Sequence, residues 1–358
     1  MHNPFKDLPQ HVGELHSSPI FHRYAGNPLL TKNDVPYPAS FAFNAGVARY
    51  HGKYIIAPRI DLFAPDYSRP ALNMGTGLGF SDDGIHFDML PDLVRVHYGD
   101  TILPWVVDAR LTVLEDQLYL TFCFENQHSE RPGIARWRGE GVDFDIVNLG
   151  IPQQRNMVLF PEKINGKYMR LERPSDQWGD PFHIWYAFSP DMAYWGEQDL
   201  FLGCEDVPWA NKKIGAGAPP IRTEKGWLLI FHAVDEDPDR AMPCLVGNTW
   251  FKRYTSGAAL FDLDDPTKLI AITKKPLIVA EAPYETHAKD TWVNDTVFPC
   301  GAVLENDQDT LRIYYGAGDC NTCLGTVSLK ELFETMTPAK RMADKAVVPF
   351  RIEDWNGK

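Results

Sequence analysis

Arg155 and Arg173 flank one short stretch, QQRNMVLFPEKINGKYMRLERP, over residues 153–174. An apolar run from Met157 to Phe160 leads into Asn165-Gly166, and Tyr168 to Leu171 returns, so the stretch reads as a β-hairpin with an Asn-Gly turn. Counted back from the turn, both arginines fall at the open end of the hairpin. Two guanidiniums that close repel unless something negative sits between them. Either a carboxylate of the chain (Glu162, Glu172 and Asp176 are the candidates) or an anion from outside takes that place. Other groups stand at matching positions in other strand-like runs: Lys213 in KKIGAGAPPI, His232 in LIFHAV and Tyr254 in KRYTSGAAL. Two guanidiniums, an ammonium, an imidazole and a phenol together make a phosphate receptor. Arginine offers a planar fork to an oxyanion, and charged hydrogen bonds are the strong ones. Taken alone, His232 reads as a core or channel histidine.

PWVVDARLT, residues 104–112, sets Asp108 behind two valines. Partial desolvation raises a carboxyl pKa and favours a protonated general acid near neutrality, while Arg110 pulls the other way. The competing reading is a buried Asp108–Arg110 structural pair. FNAGVARY and APRID supply Asn44, Arg59 and Asp61, Asn156 stands beside Arg155, and DTWVNDTVFP and YYGAGD add Asp295 and Asp319. Amide, guanidinium and carboxylate groups are common partners of sugar hydroxyls. The glycines of GAGAPP and YYGAG have no phosphate-loop spacing and precede no helix, so they read as turn glycines that let backbone approach a ligand. The six cysteines show no disulfide framework. CNTC at 320–323 lacks the second pair or clustered histidines of a zinc site, and reads as incidental thiols over a metal or redox site. No metal and no cofactor is expected.

The elements that position these groups are mostly strands. Short apolar runs alternate with Gly, Pro, Asn and Asp, and convincing helical stretches are few. One element recurs: a small turn, then an alternating aromatic and aliphatic strand. It appears as HGKYIIAPRI (51–60), EDQLYLTFCF (115–124), NGKYMRLERP (165–174), KGWLLIFHAV (225–234) and DTLRIYYGAG (309–318). Each copy is followed by a second strand and a polar corner. Five such units predict a five-bladed β-propeller; a β-sandwich of look-alike hairpins is the alternative. In a propeller the first strand of each blade lines the central channel, so Arg59, Asp108, Arg173, His232 and Asp319 converge on one pocket. No linker divides the chain, which predicts a single domain over 1–358 with a short leader and a tail after residue 335 that closes the ring or packs outside it.

The bulk numbers narrow the partners. A chain of 358 residues with 44% hydrophobic residues has ample material for a core. A net charge of −13 argues against nucleic acid or an anionic membrane as the main partner, and makes a local basic cluster more informative. No signal-peptide core and no apolar run near 18 residues stands out, so the expected compartment is the cytoplasm. Ten tryptophans in a chain that is 12% aromatic suit a sugar site or a β-rich core.

The ordered motifs N-A-G…R-x-D, D-A-R-L-T, R-N-M-V-L-F-P-E-K-I-N-G-K-Y…R-P, K-I-G-A-G-A-P-P-I…G-W-L…H, Y-T-S-G-A-A-L-F-D-L-D-D-P and Y-Y-G-A-G-D, spread over about residues 25–335, resemble glycoside hydrolase family 130. That family consists largely of inverting β-mannoside phosphorylases, with some β-mannosidases, on a five-bladed propeller. The resemblance implies Asp108 as proton donor and Arg155, Arg173, Lys213, His232 and Tyr254 as the phosphate site. It implies that Asn44, Arg59 and Asp319 hold the mannosyl unit. Asp61 departs from the family's usual Glu and Asp295 from its usual Asn, and 235–253 is longer than usual. These departures fall where substrate-end specificity is set, and Arg110 and Asn156 complete the expected substrate contacts. The implied reaction consumes a β-mannoside and phosphate and releases α-mannose 1-phosphate. The proton passes from Asp108 through the mannosyl 3-hydroxyl, and no metal is needed. A β-1,4 linkage to glucose or mannose is expected, with β-1,2 as the other option. A β-mannosidase of the same fold and a non-catalytic sugar-binding propeller are the rival functions, and a homo-oligomer is an open option.

Overall fold

Asn165 and Gly166 both take left-handed backbone, with φ of 50° and 80°, and the flanking Ile164 and Lys167 exchange two backbone hydrogen bonds of 2.8 and 3.0 Å. That is the mirror-image turn whose twist matches that of the strands it joins. The strands Gln154–Leu159 and Tyr168–Pro174 pair antiparallel from it, and Arg155 and Arg173 stand directly opposite each other at the far end. The computed structural model describes residues 8–63, 73–125, 128–175, 181–243, 249–286 and 293–344. The chain is all-β, with two short α-helices among the described residues, Pro283–Thr286 and Leu329–Thr335. Neither is long and apolar enough to cross a membrane.

The same hairpin form occurs five times. Strand Phe41–Tyr50 pairs with Lys53–Leu62, Val106–Leu114 with Gln117–Glu125, Lys213–Ala216 with Gly226–Glu236, and Val297–Leu304 with Thr310–Ala317, alongside the 154–174 hairpin. The strand that recurs in the sequence is therefore the second of each set, not the first. A third strand follows in each: Gly79–Ser81, Glu130–Trp137, Ile184–Ser189, Lys252–Phe261 and Asn321–Ser328. The last set and the first share one nine-stranded sheet through a parallel pairing of Ala42 with Asn321. The polar corners are side-chain turns. Asp83 accepts backbone N–H bonds from Ile85 and His86, and Asp191 accepts them from Ala193 and Tyr194.

The second strands are buried on both faces. Along Gly226–Glu236, Trp227, Leu229 and Phe231 enter one apolar cluster with Phe160, Phe201 and Phe261 of neighbouring strands. Leu228 and Ile230, pointing the opposite way, enter another with Leu311, Ile313 and Tyr315. This alternation with both faces apolar is what a sheet packed between two others requires. The same holds between the other neighbours: Ile55 packs with Leu111 and Leu120, Leu114 with Met157 and Leu159, and Tyr314 with Tyr54 and Ile56. Each hairpin set thus shares one core with the set before it and one with the set after it, and the fifth shares a core with the first. First strands approach backbone to backbone. A Cβ on Gly46 would meet the Ala109 carbonyl oxygen at 2.6 Å, so no larger residue fits there.

The described part of the leader runs over the fourth set, where Asn211 Nδ2 donates to the Pro9 carbonyl at 3.0 Å and Arg253 to that of Gly13 at 2.8 Å. Met336–Pro338 pairs with Leu269–Thr273 in the same sheet. The tail from 345 onward, Cys244 and Asp176 lie outside the described residues.

Candidate active site

Three of the chemistry-bearing side chains are presented by bulges. In three first strands two residues face one partner residue: Asn44 and Ala45 opposite Pro58, Asp108 and Ala109 opposite Phe122, Asn156 and Met157 opposite Glu172. The first residue of each bulge is left-handed, with φ of 48° at Asn44, 53° at Asp108 and 57° at Asn156. Asn and Asp are the side-chain-bearing residues that accept this conformation most readily. A bulge re-aims the side chain it carries. Residue type therefore serves backbone and chemistry at once.

One cavity of about 150 Å³ gathers the result. Asn44, Arg59, Asp61, Asp108, Arg155, Asn156, Arg173, Lys213, His232, Tyr254 and Asp319 line it, together with Phe43 and Phe298, which the sequence reading missed. Phe43 adjoins Asn44 and Phe298 lies in the V-F-P motif, but neither carries a polar signal. A larger cleft of about 440 Å³ lies elsewhere, between residues 14–19 and Thr273–Leu277. It lacks the cluster of buried charged groups, so the smaller cavity is the better candidate for catalysis.

Two expected contacts, Arg110 and Asp295, are not among the residues that line the cavity. Arg110 is wholly buried; its guanidinium donates to the Asp108 carbonyl at 2.7 Å and the Gly217 carbonyl at 3.0 Å, and packs 5.3 Å from the Phe298 ring. It fixes the backbone of Asp108 and does not line the cavity. Asp295 accepts the Tyr254 backbone N–H at 2.9 Å, and its carboxyl is pushed up by burial against the pull of Arg240 and Arg253. Gly215 and Gly316 also differ from expectation. A Cβ at Gly215 would strike the His232 ring at 2.3 Å and one at Gly316 the Asn44 side chain at 1.9 Å, so these glycines make room for protein groups and not for a ligand.

The acidic side of the cavity is tightly partnered. Arg59 forms a two-point pair with Asp61, at 2.8 and 3.0 Å, and reaches Asp108 at 3.3 Å. Asn44 Nδ2 donates to Asp108 at 3.5 Å. Burial pushes the Asp108 carboxyl up, but Arg59, Arg155 and Arg110 outweigh it and hold it at about 2. The raised value expected from the two valines is thus overturned. Asp319 goes the other way: burial, with Asp108 and Asp61 adding to it, pushes it up to about 6 against Arg59 and Lys213.

The basic side divides into two kinds. Arg155 donates from Nε to Glu130 and from one terminal nitrogen to Glu125, and its other terminal nitrogen lies 3.6 Å from Asp108. Of the carboxylates expected from sequence, Glu162 pairs with Arg222 and Glu172 with Arg170, while Asp176 lies outside the described residues. Arg173 is different. It is 4% exposed, its guanidinium lies 5.7 Å from the Phe182 ring, and its Nε has no hydrogen-bond partner. Burial, joined by Arg155, holds it below the usual arginine range. His232 is 0% exposed with both ring nitrogens unpartnered. Burial, then Arg173 and Lys213, keeps it neutral, well below the usual histidine range. The Lys213 ammonium sits 5.0 Å from the Tyr254 ring, whose phenol is pushed up by burial. Buried donors without partners are costly, and a buried cation costs most. An anion entering this cavity removes that cost.

Comparison with known proteins agrees with this geometry. A family model described as beta-1,4-mannooligosaccharide phosphorylase matches residues 14–338. Beta-1,4-mannooligosaccharide phosphorylase of Ruminococcus albus is 32% identical over 333 residues, covering 90% of this chain and 90% of that one. Beta-1,2-mannobiose phosphorylase of Listeria innocua is 30% identical over 372 residues, covering 88% and 98%. The structure of the Listeria innocua beta-1,2-mannobiose phosphorylase with beta-1,2-mannobiose superposes with a TM-score of 0.71 at 27% identity, over 88% of this chain and 98% of that one. A mannose phosphorylase of Leishmania mexicana in complex with phosphate ion shares the fold, with a TM-score of 0.60 at 15% identity, over 84% and 88%.

Proposed function

The chain belongs to glycoside hydrolase family 130, and from that premise we propose that it is an inverting β-mannoside phosphorylase. The observation that carries the proposal is the unpartnered Nε of Arg173 beside the unpartnered ring of His232, in the cavity that also holds Asp108. Phosphate enters among Arg173, His232, Lys213, Tyr254 and the Asp108-facing edge of Arg155. It arrives anionic, so no enzymic base is needed to activate it, unlike the water of an inverting hydrolase. A phosphate oxygen forms the new bond to the anomeric carbon from the face opposite the leaving group. The glycosidic C–O bond breaks, and its oxygen takes a proton that originates on Asp108 and passes through the mannosyl 3-hydroxyl. Positioning and charge placement supply most of the acceleration.

Held at about 2 by Arg59, Arg155 and Arg110, Asp108 has to gain proton affinity before it can act as the acid. A bound phosphate draws the Asp108-facing edge of Arg155 to itself and adds negative charge nearby, and both changes raise the carboxyl's proton affinity. Asn44, Arg59, Asp61, Asn156 and Asp319 hold the mannosyl unit. The five shared cores, closing from the fifth set back onto the first, support a five-bladed β-propeller forming a single domain. The free thiols of Cys123, Cys300 and Cys323 are in keeping with a cytoplasmic enzyme. A β-1,4-linked mannoside, with glucose or mannose as the acceptor, is the preferred substrate, supported by the identity to the Ruminococcus albus enzyme.

The test is a panel of β-1,4-mannobiose, β-1,4-mannosyl-glucose and β-1,2-mannobiose, each with and without phosphate. Release of α-mannose 1-phosphate only with phosphate, fastest on a β-1,4 substrate, is the expected result. Asp108→Asn is expected to lose about 10²–10⁴-fold in turnover with its fold intact. Free mannose without phosphate would make the protein a β-mannosidase, and no turnover on any mannoside would leave a sugar-binding propeller.

A further inference from the structure

Glu125 and Glu130 stand directly opposite each other on strands Gln117–Glu125 and Glu130–Trp137. Like charges at directly facing positions destabilise a sheet. What lies between them is the guanidinium of Arg155, from the first strand of the next hairpin set, bonded through Nε to Glu130 and through one terminal nitrogen to Glu125. Ser175 Oγ donates to the second oxygen of Glu130 at 3.2 Å and fixes that carboxylate in turn. The glutamates are 29% and 27% exposed and Arg155 is 26% exposed, so the group is half-buried, where ion pairs have more effect than at the open surface. Among the described residues its register partner Arg173 forms no such ion pair, and its Nε is unpartnered. The two arginines of the hairpin are therefore not equivalent.

We propose that Glu125 and Glu130 form a carboxylate clamp that positions Arg155, leaving only its Asp108-facing edge for phosphate while Arg173 offers the anion a full fork. This rests on the phosphorylase reading. The clamp is a positioning device and touches no reacting atom. It keeps Arg155 from closing onto Asp108, which it approaches only to 3.6 Å, and it lowers affinity for phosphate by occupying donors and adding negative charge. Phosphate binding is thereby kept weak enough to reverse.

Glu125→Gln and Glu130→Gln preserve shape and remove charge, and each is measured alone and in an Arg155→Ala background. Either single variant is expected to lower the phosphate KM about 3- to 10-fold, because a freed charged donor is worth roughly that much. The mannoside KM is expected to stay within about twofold, well under the tenfold that 1.4 kcal/mol would bring. In the Arg155→Ala background the glutamate effect is expected to vanish, since the clamp acts only through that arginine. A phosphate KM that is unchanged or raised, or a fall that persists without Arg155, overturns the clamp while leaving the phosphorylase reading intact. Wild-type turnover independent of phosphate overturns both. If one variant fails to fold, the other decides.

Discussion

Asp319 illustrates how one buried carboxyl sets a pH dependence. Burial pushes it up to about 6, so it is neutral below that pH and a carboxylate above it. A carboxylate accepts hydrogen bonds from sugar hydroxyls that the protonated form accepts less well. Binding of a non-cleavable β-mannoside without phosphate should therefore weaken as pH falls through about 6. His232, held neutral by burial, contributes nothing in that range. Calorimetric titration of wild type and Asp319→Asn between about pH 5 and pH 8 checks this. The variant should bind more weakly and show a flat profile; matching profiles would remove Asp319 from the sugar site. At this scale much of the site was legible in the sequence, because Arg, Lys, His and Asp in a strand-rich acidic chain are conspicuous. What was not legible is who partners whom. Arg155 finds Glu125 and Glu130 across a sheet boundary, and Asp108 sits at about 2 because three arginines from different strands converge on it. Residue spacing within one hairpin contains neither fact.

The 154–174 hairpin was readable because its turn is chemically explicit: Asn165-Gly166 can hardly be anything else between two apolar runs. Gly166 has φ of 80° and open space around its α-carbon. Gly166→Val should thus cost about 1–3 kcal/mol through backbone strain alone. The denaturant midpoint should fall with the slope unchanged, and the phosphate KM should stay at the wild-type value because the arginines lie at the other end. An unchanged midpoint would mean the turn does not hold this conformation. The first strands were harder to read. Their bulges place Asn44, Asp108 and Asn156 inside what would otherwise be regular alternation, so in the sequence the second strands stand out as if they were the inner ones. The interruption that hid those strands is the same feature that aims their side chains.

Across the whole molecule, sets far apart in sequence are tied together. Wholly buried Glu285 accepts from Arg23 Nε at 3.0 Å, from the Tyr315 hydroxyl at 2.8 Å, and from the backbone N–H groups of Glu281 and Ala282 at 2.8 and 2.9 Å. It thereby links residues 22–23, themselves paired with Gly325 and Thr326, to the last hairpin. Removing one partner of a buried pair leaves the other uncompensated, so Glu285→Ala should cost about 3–5 kcal/mol in denaturant unfolding. Turnover should be near wild type well below the new midpoint, since Glu285 is not in the cavity wall. A cost under about 1 kcal/mol, the range of an exposed pair, would contradict that role. The same long-range assembly collects cationic groups from the third and fourth sets inside a chain of net charge −13. That accumulation against the overall charge is a second sign, beside the unpartnered Arg173 and His232, that the cavity is built for an anion. A crystal structure with phosphate tests it most directly. The account predicts one tetrahedral anion in the cavity, hydrogen-bonded to the Nε of Arg173 and in reach of His232, Lys213 and Tyr254, with Arg155 still held by Glu125 and Glu130. A cavity left empty at saturating phosphate, or Arg173 turned onto a carboxylate of the protein itself, would contradict it.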